Sequence, residues 1–150
     1  MAGKDVYIMD YDLERFVKAQ SGTYQTALDE VRNGRKRSHW MWFIFPQIEG
    51  LAFSERSQRY SISDICEAEY YLKHDVLGNR LVEISNALLA LNIDNATAIF
   101  GNPDDMKLRS SMTLFAQVDN APATFQKVLD KFFGGTPDNK TLRILGLLSE

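Results

Sequence analysis

At 150 residues and 17.1 kDa the chain suits one domain with a sizeable core, since a chain of this size buries roughly 68–70% of its unfolded surface. A net charge of -3 argues against a global attraction to nucleic acid or an anionic membrane, and neither partner is expected. The start of the chain reads as neither a signal peptide nor a membrane span, and one cysteine, Cys66, leaves no internal disulfide; both fit a cytoplasmic protein.

In chain order, residues 1–11 read as an N-terminal extension with a weak strand candidate at Val6-Tyr7-Ile8, and the rest as helices within a single domain over 1–150. Asp12 can cap a helix carrying Leu13, Phe16 and Val17, and Thr23 can cap a second. In that second helix Tyr24, Ala27, Leu28 and Val31 stand at amphipathic spacing, and Gly34 closes it. Ser38 then offers a cap for a short helix through Trp40-Met41-Trp42-Phe43-Ile44-Phe45, which Pro46 stops by disfavouring the helical region at Phe45. Both tryptophans fall in that run of six apolar residues, so protein is expected around most of it.

Residues 47–61 show no period and read as an irregular loop, long enough to be functional or mobile. Beyond it, Ser63 and Asp64 start a helix that breaks at His74-Asp75, and Leu77, Leu81, Ile84 and Leu88 mark a longer one. A short turn covers 96–100. Asn102-Pro103-Asp104-Asp105 is a helix start with acids in the first turn, Pro122 opens another helix, and Asp138 caps the last. The expected fold is all-α, six to seven helices around a central aromatic segment.

The run Ser38-His39-Trp40-Met41-Trp42-Phe43-Ile44-Phe45-Pro46-Gln47 closely resembles the signature of a family of uncharacterised, mostly bacterial proteins often mislabelled "calpastatin". The resemblance continues through Asp12 to Phe16, Glu67-Ala68, Tyr71-Leu72, Val76 to Leu81, Ile99 to Gly101 and Lys107 to Phe115. It implies an all-helical fold, as in a mycobacterial member, and brings no established activity. The calpastatin label conflicts with the physics of the chain: inhibitors of that type are disordered and polar, not aromatic and amphipathic.

Several residues have types suited to chemistry. His39, at the start of the aromatic run, and Glu67, on the helix after the loop, are the candidate acid/base pair, with Glu67 facing His39 or Arg59. Trp40, Trp42 and Phe45 can wall a planar ligand, and Ser38 and Gln47 can bond its edge. Arg35-Lys36-Arg37 and the Arg59-Tyr60 pair can meet its phosphates. Ser110, Ser111 and Thr113 place three hydroxyls in an apolar helix, where they bond back to carbonyls or face a polar group. For each, the structural alternative is core packing, a satisfied cap or a solvated turn. No metal spacing, nucleophile elbow, phosphate loop or dinucleotide fingerprint is present, and no cofactor is expected.

Two readings follow. One is a pocket for a nucleotide-like ligand, of ADP-ribose or NAD type. The order of an acidic helix start, a glycine, Lys107, Met112 and Phe115 also loosely resembles the helical family that removes ADP-ribose from nucleobases. The other is a non-enzymatic module that binds another protein through residues 47–61.

Overall fold

A computed structural model describes residues 11–148, so the strand candidate at 6–8 lies outside the described residues. Ten helices cover them. They are α1 (Glu14–Gln20), α2 (Tyr24–Arg32), α3 (Met41–Ile44), α4 (Glu55–Arg59), α5 (Ile65–Lys73), α6 (Leu77–Leu89), α7 (Ala96–Phe100), α8 (Asp104–Ala116), α9 (Thr124–Phe133) and α10 (Asn139–Ile144). The all-α expectation holds, and the count of six to seven is too low. Helices of four to six residues carry too few apolar positions to show a period. In the expected irregular loop, α4 buries nothing, so no hydrophobic signal announces it.

What does announce α4 is its cap. Ser54 Oγ accepts from the Ser57 N–H at 3.1 Å, as Asp64, Asn95 and Asp138 do for α5, α7 and α10. Other caps differ from expectation. Leu13 rather than Asp12 precedes α1, and Thr23 precedes α2 without a side-chain bond. Trp40 rather than Ser38 precedes α3, and Pro103 rather than Asn102 precedes α8. Phe45 leaves the helical region ahead of Pro46 as expected, at φ -124° and ψ 73°.

The centre of the molecule is α8. Helices α5, α7, α9 and α10 all pack on it, and α6 packs on α2, α5 and α9. Its second half is enclosed on all sides, so that Ser110, Ser111, Met112, Thr113, Leu114 and Phe115 are consecutively buried, with Leu108 before them, while Met106 near its start is exposed. That explains its mixed, non-amphipathic sequence. A line of touching rings, Tyr60–Phe16–Tyr71–Phe115–Phe125, threads the core. Trp40, Phe45 and Phe100 form a second cluster.

Residues 47–61 are closed at the base by one parallel bridge between Ile48 and Ile62. There the Ile62 N–H donates to the Gln47 carbonyl and the Glu49 N–H to the Ile62 carbonyl, both at 2.8 Å.

The crossing of α5 and α6 is the tightest backbone approach. A Cβ at Gly78 would lie 2.0 Å from the Leu72 carbonyl oxygen, and a carbonyl cannot rotate away as a side chain can. Gly78→Ala is therefore expected to cost about 3 kcal/mol, the upper part of the range for overpacking, read as a lower urea midpoint at unchanged m. A loss under about 0.5 kcal/mol would contradict that contact.

Candidate functional site

The turn leading into α3 is built on one carboxylate. Glu30 Oε1 accepts from the N–H groups of Arg37 (2.8 Å) and Ser38 (3.0 Å) and from Trp40 Nε1 (2.9 Å), while Oε2 accepts from the Ser38 hydroxyl. Burial raises the Glu30 pKa, but these four bonds outweigh it and hold the carboxyl at about 2. Ser38 is thereby committed to the scaffold. Trp40 is 0% exposed and Phe45 1%, so these two rings wall the core. His39, between them and the basic run, is exposed and has no hydrogen bond among the described residues.

Trp42 points elsewhere. It is half-buried, with the Arg56 guanidinium carbon 5.1 Å and Lys107 Nζ 5.3 Å from its ring centre. Lys107 also approaches Asp104 at 3.6 Å, and the other oxygen of Asp104 meets Lys36 Nζ at 2.9 Å. Arg56 has no carboxylate partner among the described residues. Beside the ring, Gln47, Ser57, Tyr60 and Ser61 help line a slot of about 10 Å³, room for about one water. The Gln47 amide has no hydrogen bond among the described residues.

Glu67 is not opposite His39 or Arg59. It is 2% exposed and meets Arg15 Nη1 at 3.0 Å, while Oε1 accepts from the Ser63 N–H at 2.7 Å. Arg15 wins because four of its five N–H donors find acceptors there. It donates also to the carbonyls of Arg59 (2.8 Å), Ser61 (2.7 Å) and Asp12. Arg59 contributes that carbonyl and leaves its own side chain exposed. Arg15, which the sequence reading passed over, thus clamps the end of the 47–61 segment to α1 and α5.

Ser110 and Thr113 serve the last helix. Ser110 Oγ lies 3.2 Å from both the Met106 carbonyl and Asp138 Oδ2, which share its single proton. Thr113 Oγ1 donates to the Arg109 carbonyl and accepts from the Asp138 N–H, both 2.8 Å. Ser111 is 0% exposed with no partner for its hydroxyl. The structure therefore gathers Trp42, Gln47 and Tyr60 at one place, with Arg56 and Lys107 added, and disperses the rest. Among the described residues no group of acids, histidines or cysteines could hold a metal ion.

The profile of the family described as "Protein of unknown function (DUF1810)" matches residues 10–145. A solved structure, a conserved hypothetical protein from Mycobacterium tuberculosis, shares 46% identity at a TM-score of 0.89, covering 93% of this chain and 99% of that one. No curated protein matches.

Two predictions follow from these partners. The folded Glu30 pKa, about 2, lies below its ordinary 4.5. Its contribution is thus complete above pH 4.5 and is lost as pH falls through 2. Glu30→Gln is expected to remove on the order of 2 kcal/mol of acid-dependent stability, after discounting for partial exposure, seen as a flatter urea-stability profile between pH 5 and 2. Ser111→Ala is expected to leave stability unchanged or raise it by up to about 1 kcal/mol. Destabilisation by more than that would reveal a partner for the hydroxyl.

Proposed function

We propose that this chain, which belongs to the DUF1810 family of proteins of unknown function, binds a small anionic ligand bearing a flat ring, such as a nucleotide or an ADP-ribose derivative, at Trp42. One observation carries this reading: a half-buried indole has two cationic heads over it, and the Arg56 charge lacks an acidic partner among the described residues. A ring stacks on Trp42 as bases stack on indoles, a phosphate meets Arg56 and Lys107, and the Gln47 amide reads an edge. Catalysis is not part of the proposal, because Glu67 is engaged by Arg15 and His39 has no orienting group among the described residues.

A second reading, contact with a protein through residues 47–61, is favoured by Phe53, which stands 75% exposed ahead of α4.

Thermal melting with AMP, ADP-ribose, NAD and inorganic phosphate tests the first reading. A ligand at 100 times its Kd adds about 2.7 kcal/mol, an upward shift of roughly 5–10 °C for a chain of this size. Arg56→Gln with Lys107→Gln is expected to abolish the shift while lowering the ligand-free Tm by less than about 4 °C, since Arg56 is exposed and Lys107 gives up one partly buried ion pair with Asp104. Flat curves for every nucleotide, or an equal shift with inorganic phosphate, would sink the nucleotide reading and turn attention to Phe53.

A further inference from the structure

The segment over the Trp42 slot is tied down unevenly. At one end stand the Ile48–Ile62 bridge and the packing of Leu51 against the core. At the other, Arg15 holds the carbonyls of Arg59 and Ser61, and the Tyr60 ring rests on Phe16 and Phe43. Between these anchors most hydrogen bonds are internal, and three others, from the Tyr60 N–H to the Arg56 carbonyl and from the Ser61 N–H and hydroxyl to the Gln58 carbonyl, join the segment to its Arg15-held end. Ser54 Oγ donates to Ser57 Oγ and accepts from the Ser57 N–H, Gln58 Nε2 donates to the Phe53 carbonyl, and the Gln58 N–H donates to the Ser54 carbonyl. No residue of α4 is buried. For residues 52–58, the one ring or charge contact to the rest of the described chain is Arg56 over Trp42.

Such a piece moves as a unit. Its internal bonds survive when it lifts, the bonds from Tyr60 and Ser61 to the Arg56 and Gln58 carbonyls form the joint about which it turns, and what is lost is a surface cation–π contact and the slot's packing. Gly50, at φ +104°, turns the chain out of the Ile48 bridge toward the Leu51 anchor, a conformation glycine adopts freely, and the lift begins beyond that anchor at Ala52 and Phe53. We infer that residues 52–58 are a strap latched by Arg56 on Trp42, and that it lifts to admit a planar anionic ligand between itself and the indole. The gating half rests on the ligand reading above. With the strap down, the slot of about 10 Å³ holds about one water and no ring, so a ligand stacking there requires the lift. Arg56 travels with the strap and exchanges the ring quadrupole for the ligand's anion, which is the stronger partner. Ser57 on the strap and Gln47 on the base present polar groups to opposite sides of the opened slot.

Acrylamide quenching reads the latch directly. Trp40 is 0% exposed, so the quenchable emission belongs to Trp42. Arg56→Met keeps aliphatic cover over the ring and removes only the charge. It is expected to raise the Trp42 quenching constant about twofold or more, toward that of a protein whose residues 52–58 are replaced by two glycines, since a surface cation–π contact corresponds to a few-fold in an opening equilibrium. Saturating AMP is expected to lower the constant in the wild-type protein. A constant unchanged by Arg56→Met overturns the latch, even if AMP binds by calorimetry. Bound AMP that leaves wild-type quenching unchanged overturns the gate. An Arg56→Met effect with no AMP binding in the wild type supports the latch and overturns the ligand reading instead.

Discussion

The Glu30 carboxylate decides how the aromatic segment sits. It gathers two backbone N–H groups, one hydroxyl and one indole N–H from residues 37–40, and so turns the chain sharply before α3. With the Trp40 indole bonded there, its ring lies inward against Phe45 and Phe100. Two residues later, Trp42 emerges on another side, toward Lys107 and Arg56. One anion thus divides the two tryptophans between core and surface. Removing it would strand donors in a partly buried turn, an expense comparable to losing several bonds at once.

Around that turn, stability is distributed unequally. Helix α8 is packed by four neighbours, and ring contacts run unbroken from Tyr60 to Phe125. The end of the 47–61 segment is fastened to the same frame by Arg15, whose four donated bonds leave its guanidinium little freedom. Residues 52–58 share none of this. A firm base with a lightly held cover is the arrangement expected of binding segments, which are drawn from the low-stability end of a structure.

The fold was largely legible because its long helices carry the 3.6-residue stripe. Leu77, Leu81, Ile84 and Leu88 line the inner face of α6, buried as the spacing predicts, and of the residues at that spacing in α9 Phe125, Val128 and Leu129 are buried and Phe132 partly so. Helix α8 was legible by its start and not by its stripe, since the continuous burial of residues 110–115 erases periodicity. The site was less legible. The aromatic run marked the right stretch, yet nothing in the order of residues tells which indole faces in; that depends on Glu30, eight residues before Ser38 and on another helix. The expected partner of Glu67 was misplaced for a similar reason. Arg15 reaches it across 52 positions, a pairing set by tertiary packing alone. Arg56 belonged to a segment with no pattern, and only the Ser54 cap hinted that it was held in place.

The distribution of charge gives the site its chemical character. The inward-facing carboxylates are occupied: Glu30 by four donors, Glu67 by Arg15 and Ser63, and Asp105 by Thr97, Asn102 and the Met106 N–H. Such pairing is what burial demands, because an unpaired buried anion is costly. Acid–base work at these positions would require breaking the bonds that hold the helices together. The capacity left over is of the opposite sign. Among the described residues of a chain with net charge -3, Arg56 has no acidic partner, Asp104 is shared between Lys36 and Lys107, and the two cations that face Trp42 stand beside an amide with no hydrogen bond. One cation with a shared counter-ion and one without an acidic partner among the described residues, beside a half-buried indole, are the features on which the proposed ligand, an anion that carries its own ring, rests.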